Sequence, residues 1–80
     1  MDEKEIIETL TTILQDLLVD PSIQLSSTTV RKDVPGWDSF AYVNFIVAVE
    51  TQFGIRFRVA DVESFQTVGD IVSEIKVLMA

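Results

Sequence analysis

Ser39 is the residue of this sequence most open to covalent chemistry. It follows Asp38 directly after a Pro35-Gly36-Trp37 turn, at the head of an apolar stretch that runs from Phe40 to Phe53. A serine hydroxyl is a weak nucleophile until a base takes its proton, and the chain contains no His and no Cys. Without His there is no Ser-His-Asp or Cys-His constellation, and no side chain whose ordinary pKa suits it to shuttle protons near neutrality. Without Cys there are no disulfides, no thiolate nucleophile and no sulfur ligands for a small zinc site. A self-sufficient enzyme would have to work with Asp, Glu, Ser, Lys and Tyr42 in a core too small for a deep cleft. No enzymatic activity is expected, and any chemistry at Ser39 has to be supplied from outside. Taken alone, Asp38-Ser39 is a helix cap, since both side chains accept bonds from the unpaired N–H groups of a first turn.

The elements that carry this dipeptide must fit within 80 residues, which is enough for one small domain spanning residues 1–80 and not for two cores. Apolar residues make up 48% and charged residues 24% of the chain, too apolar for a disordered tail and with no run long enough to cross a bilayer. Thirteen acids against six bases give a net charge of −7, which repels phosphate backbones and anionic membrane surfaces, so neither nucleic acid nor membrane is expected as a partner. The charged start, Met1 to Lys4, is not a signal peptide, and a cytoplasmic address is expected. A chain that opens on Met1 and ends in a helix reaching Ala80 suits free-standing use, and a segment of a longer chain would look the same.

Hydrophobic spacing places the helices. Ile6, Leu10, Ile13, Leu14, Leu17 and Leu18 recur at intervals of three and four, predicting a helix over residues 3–19 with Glu3, Glu8, Thr11 and Gln15 outside. Asp2 and Glu5 form a capping box at its start, and the Asp20-Pro21 step closes it. Residues 20–37 form a long connection whose Ile23, Leu25, Val30 and Val34 are expected to fold back over the core. A second helix runs to Phe53, with Gly54 as its left-handed cap. Val43, Ile46, Val49 and Phe53, with Phe45 beside them, are expected on its buried face, and Ala41, Asn44, Ala48 and Thr51 on the opposite one. Residues 53–59 alternate like a strand but have no second strand to pair with, so they are expected to be an extended loop. Ala60 to Phe65 form a helical turn or two. Thr67 then caps a last helix carrying Val68, Ile71, Val72, Ile75, Leu78 and Met79, with Asp70 in its first turn. The fold class is all-α, a small four-helix bundle with a long loop between helices one and two and a short third helix.

In these surroundings Gly36-Trp37-Asp38-Ser39-Phe40 resembles the Gly-x-Asp-Ser-Leu modification site of the acyl carrier proteins, the phosphopantetheine-bearing carrier family. The resemblance covers most of the chain: helix one, the long loop, the motif, Glu50, Phe53-Gly54-Ile55, a short third helix and the Thr67-Val68 helix follow in family order. It implies that a phosphopantetheinyl transferase attaches 4'-phosphopantetheine from coenzyme A to the hydroxyl of Ser39. The arm's thiol then holds acyl groups as thioesters for the enzymes of fatty-acid, polyketide or related acyl metabolism that load and use them. The absence of His and Cys is then no defect, because the base and magnesium belong to the transferase and the sulfur to the prosthetic group.

Around Ser39 the resemblance implies roles for several neighbours. The positive end of the helix favours an anionic phosphodiester on Ser39. Asp38 caps the helix and contacts the transferase or its metal ion, and Gly36 lets the backbone turn tightly, or is an ordinary loop glycine. Trp37 is either a packing anchor or part of a docking surface, and Phe40, where the family has leucine, is either a partner grip or a core residue. Partner docking is expected at Trp37, Phe40, Asn44, Val47, Glu50 and Arg56, with Arg58 a further candidate; Arg56 and Arg58 also read as an ordinary solvated pair. No metal ligands belong to the chain itself, and a monomer is expected.

One departure from the family concerns charge. Helix two holds only one acid, Glu50, after Ser39, whereas residues 1–20 hold Asp2, Glu3, Glu5, Glu8, Asp16 and Asp20 against the single base Lys4. Docking on helix two is therefore expected to be mainly apolar and hydrogen-bonding, with Phe40 and Val47 as anchors. Two other functions stay open: an aminoacyl or peptidyl carrier of the same fold, and a small helical interaction domain whose Ser39 is only a cap.

Overall fold

The computed structural model describes residues 1–80. Four helices form in chain order: α1, Glu3–Leu18; α2, Ser39–Phe53; α3, Val59–Ser64; and α4, Val68–Met79. A single 3-10 turn, Arg31–Asp33, interrupts the long α1–α2 connection. There are no strands; one isolated antiparallel bridge joins Val30 to Thr67. The expected four-helix bundle with a short third helix is what forms, and residues 55–58 are extended loop.

Three of the four helices, α1, α2 and α4, start on a side-chain cap. Asp2 accepts from the Glu5 N–H at 2.9 Å while the Glu5 carboxylate accepts from the Asp2 N–H at 3.1 Å, the expected capping box. At α4 the box is formed by Thr67 and Asp70. The Asp70 carboxylate also accepts from the Gln66 and Thr67 N–H groups, and these two bonds to its charged form hold its pKa below the ordinary Asp value.

The core joins faces of α1, α2 and α4, with α1 packed against both others. Leu10, Leu14, Phe45, Val49, Val68 and Ile75 lie at its centre. Burying each such side chain contributes roughly 1.5–3 kcal/mol. The long connection adds Ile23, Leu25 and Trp37 to the same cluster, with Val34 packed on its edge. The connection is also pinned by polar bonds. Gln15 Nε2 donates to the Pro21 and Ile23 carbonyls at 3.3 and 2.8 Å. The first N–H groups of α4 donate back to it, Val68 to the Thr29 carbonyl and Gly69 to the Ser27 carbonyl, each at 2.9 Å. A Cβ at Gly69 would meet that Ser27 oxygen at 2.8 Å, so the close approach requires glycine there.

Several expected positions move. Thr11 is buried rather than outside, because its hydroxyl donates to the Ile7 carbonyl at 2.8 Å and its polarity is spent within the helix. On α2 the buried residues are Ala41, Phe45, Ile46 and Val49, whereas Val43, expected inside, is 57% exposed. A helix apolar on nearly every side gives no periodic contrast from which to choose a face, and the neighbours make the choice. Leu78 and Met79 are exposed at the end of α4.

The end of α1 differs as well. The helix stops at Leu18 and Val19 takes the left-handed conformation, φ 53°, with its N–H donating to the Gln15 carbonyl. The stop is therefore a backbone cap one step before Asp20-Pro21. A left-handed conformation costs a residue with a Cβ about 1–2 kcal/mol, and Val19 recovers little by burial at 86% exposed. Val19→Gly is expected to stabilise the fold by about 1 kcal/mol, read as a Tm rise of roughly 4–8 °C in thermal unfolding. An unchanged or lower Tm would show that the cap carries no strain.

Candidate functional site

The site begins in the turn before α2. Gly36 has φ 87°, a left-handed conformation that glycine adopts without a Cβ penalty. The Trp37 N–H then donates to the Val34 carbonyl at 3.1 Å, and the chain swings the indole inward to 4% exposure. There the ring meets Phe45 edge-on, centroids 5.1 Å apart, and Tyr42 at 6.4 Å. Such pairs contribute about 0.5–1.5 kcal/mol beyond burial. Trp37 thus packs in the core, as one of its two expected roles has it.

With Trp37 directed inward, the next residues take up the helix start. Asp38 is the N-cap, and its carboxylate accepts from the Ala41 N–H at 2.9 Å. Ser39 is the first residue of α2 and is exposed, its hydroxyl free of the capping bond that Asp38 makes. The Ser39 and Phe40 N–H groups belong to the first turn, where the helix offers them no acceptor. An exposed hydroxyl thus stands at the positive end of a fifteen-residue helix.

Beside Ser39 opens a cleft of about 930 Å³ between the 3-10 turn, the first turns of α2, α3 and the start of α4. Arg31, Trp37, Tyr42, Phe65 and Thr67 are among its walls. Tyr42 holds the cleft's shape, because its Oη–H donates to the Val62 carbonyl at 2.7 Å and ties α3 to α2. Burial raises the Tyr42 pKa, opposed by the positive Arg31. The Arg31 guanidinium lies over the Tyr42 ring, 4.9 Å from its centroid. Sequence reasoning missed Arg31 and Tyr42 as parts of this site, although two adjacent bases, Arg31-Lys32, in a loop of an acidic chain were a signal.

The other expected site residues divide. Phe40 is 78% exposed, which settles its open alternatives against a core position, and Val47 is 55% exposed on the same side of α2. Asn44 is exposed between them. Glu50 does not join this surface: it is half-buried, and one carboxylate oxygen accepts from the Phe57 N–H at 2.7 Å. Arg56 is exposed and is not among the residues lining the cleft. Arg58 pairs with Asp61 at 3.0 Å on the surface.

The structure is thus a four-helix bundle with a serine exposed at the head of its second helix. Residues 8–75 match the family described as the phosphopantetheine attachment site, and the chain belongs to that family. It is 33% identical over 73 residues to the acyl carrier protein of Thermotoga maritima, covering 91% of this chain and 90% of the relative. It is 31% identical over 72 residues to the acyl carrier protein of Saccharopolyspora erythraea, covering 90% of this chain and 76% of that one. Among solved structures it resembles the holo acyl carrier protein of Geobacter metallireducens, with a TM-score of 0.85 at 28% identity over 92% of this chain and 85% of that chain.

The family's function is that of an acyl carrier with covalently bound phosphopantetheine. The residues present fit that group. An uncommitted hydroxyl, two first-turn N–H groups able to face a phosphodiester, and an adjoining cleft with a buried unpaired donor, Trp37 Nε1, lie together.

Because Glu50 accepts from a loop N–H, its loss should act on stability rather than on docking. Glu50→Ala leaves the Phe57 N–H without its partner, and is expected to cost about 1–3 kcal/mol, read as a lower urea midpoint. Loading by a transferase at a temperature where the variant stays folded should be unchanged. A normal midpoint with impaired loading would return Glu50 to the docking surface.

Proposed function

We propose that Ser39 is the attachment point, and that the protein is a non-enzymatic carrier which presents acyl groups on a phosphopantetheine arm. In the loading reaction the Ser39 oxygen bonds to the phosphorus that bears pantetheine in coenzyme A. The bond from that phosphorus to adenosine 3',5'-diphosphate breaks, and the serine proton passes to a base on the transferase. When bound, the group supplies a terminal thiol that holds cargo as a thioester. The chain's own residues position the oxygen: Asp38 caps the turn, and the Ser39 and Phe40 N–H groups face the anion.

The observation that carries this reading is the assignment of the cap to Asp38, which leaves the Ser39 hydroxyl exposed. The carboxylate beside the phosphate is electrostatically unfavourable, so a further contact of Asp38 with the transferase or its metal ion suits that side chain. Gly36 serves by turning the backbone so that Trp37 faces in and Ser39 faces out. The partners are the transferase and the enzymes that load and use acyl groups in fatty-acid, polyketide or related metabolism. We take the carrier to act as a monomer in the cytoplasm; no helix of the chain is long and apolar enough to cross a membrane.

Incubation with coenzyme A and a broad-specificity transferase is expected to add the mass of one phosphopantetheine, and Ser39→Ala should abolish the gain. A persistent gain in Ser39→Ala, or none in the native chain, would overturn the assignment.

Docking follows from the surface around Ser39. Phe40, Val43 and Val47 lie exposed at helical spacing with Asn44 among them, and α2 carries no exposed acid along this side. The transferase therefore grips α2 through apolar and hydrogen-bonding contacts. Phe40→Ala and Val47→Ala are each expected to slow loading about tenfold, the order of a lost interface anchor. The native rate should vary little between low and high salt, where screening would weaken multiple ion pairs. Steep loss of rate with salt, together with silent substitutions, would show that charge does the docking.

A further inference from the structure

Trp37 is the one tryptophan of the chain. Its Nε1–H is buried with no hydrogen-bond partner. The contacts with Phe45 and Tyr42 explain why a large aromatic ring stands here, but they leave its polar atom unexplained. A buried donor without an acceptor costs about 1–3 kcal/mol, and folded proteins leave few of them. A phenyl ring would supply aromatic packing without this cost.

The position of the indole adds a second fact. Trp37 lines the cleft that opens at Ser39, two residues along the chain. The aromatic hydroxyl there, that of Tyr42, is already bonded to the Val62 carbonyl. Trp37, one of the cleft-lining residues, therefore carries a buried donor with no acceptor inside the protein, two residues from the one on which an acceptor-rich arm would be anchored.

We propose that Trp37 Nε1–H binds a carbonyl oxygen of the phosphopantetheine arm or of its cargo when the arm folds back into this cleft. The proposal rests on Ser39 being the attachment point. The chemistry shared by both sources is a neutral carbonyl acceptor: the arm has amide carbonyls, and an acyl cargo brings its thioester carbonyl and any further oxo group. A plain hydrocarbon segment in the same place would leave the donor unpaired. If the cargo is the source, the cleft discriminates in favour of a β-oxoacyl chain over a saturated one of equal length. Arg31, stacked on Tyr42 at the cleft wall, adds a cation beside the same path. Trp37 is a positioning residue in this account, because it holds the arm and takes no part in bond making.

The single indole makes the test direct. The ¹H–¹⁵N resonance of Trp37 Nε1–H is followed in four forms of the intact chain: apo, holo, loaded with a saturated acyl group, and loaded with a β-oxoacyl group of the same length. Mass spectrometry verifies each form first, so that failure to load counts against Ser39 and not against Trp37. The expected result is a downfield shift with about tenfold slower exchange in deuterium oxide in at least one loaded form. A change already complete in the holo form assigns the acceptor to the arm. A change that first appears on acylation assigns it to the cargo, with the β-oxo form separating the thioester carbonyl from the added oxo group. The same resonance and exchange rate in all four forms overturns the proposal. No variant is needed, so the outcome does not depend on a substituted chain folding.

Discussion

The site depends on the burial of Trp37. A residue of that size placed inside the core immediately before a helix fixes the direction in which the chain enters the helix, and so fixes which of the following residues faces water. With the indole against Phe45 and Tyr42, Asp38 reaches the Ala41 N–H and becomes the cap. Ser39 and Phe40 then have no inward position left to occupy, since Ala41 is the next residue to turn under the helix. Gly36 makes this possible by taking φ 87° where the loop reverses. The exposed hydroxyl is thus a consequence of an apolar anchor two residues earlier, and the cap at Asp38 is what keeps Ser39 from being used as one.

The loop before Trp37 belongs to the same device. A connection of this length in so small a protein would ordinarily be mobile, yet it contributes Ile23, Leu25 and Trp37 to the core cluster. Its backbone also caps another element: the carbonyls of Ser27 and Thr29 receive the Gly69 and Val68 N–H groups at the start of α4. Those donors are orphans of the helix geometry, and satisfying them with loop carbonyls couples the loop to α4. The 3-10 turn that follows sets Arg31 over Tyr42, and Tyr42 in turn holds α3 through the Val62 carbonyl. The cleft beside Ser39 is therefore bounded on several sides by elements that depend on one another. Small domains retain little net stability, so a wall built from shared contacts rather than from extra core suits this size.

Much of the architecture was legible in the sequence because it is written in local chemistry. Asp2 with Glu5, Thr67 with Asp70, Asp38 before α2 and Gly54 after it all act on neighbours within a few residues, and each forms as expected. The reading of residues 53–59 as loop rested on the lack of any partner strand; it holds for residues 55–58, while Phe53 ends α2 and Val59 opens α3. What was not legible depends on distant partners. Val43 and Ala41 exchanged faces because α2 is apolar around most of its circumference, so only the packing of α1 and α4 decides which side is inside. Thr11 looked polar and lies buried, because a hydroxyl can satisfy itself on the Ile7 carbonyl. Glu50 looked like a docking charge and is a loop acceptor, a role that depends on Phe57 returning to it across a turn. For Trp37 both readings were open, since an aromatic ring in a turn suits a core or an interface equally until the neighbouring rings are known.

The distribution of charge separates two tasks that one surface could have combined. The exposed side of α2 presents Phe40, Val43 and Val47, which is an unusual concentration of apolar area for a small soluble helix. Such a side would favour self-association if the molecule were neutral. A net charge of −7, concentrated in acids along α1, opposes the approach of a second copy while leaving the exposed side of α2 around Phe40, Val43 and Val47 uncharged. Long-range repulsion falls within a Debye length of about 8 Å at physiological salt, whereas apolar contact acts only when surfaces touch. Apolar contacts made on that side are not screened by salt. Charge in this arrangement keeps copies of the chain apart, and the exposed apolar side of α2 beside Ser39 is left open for contact.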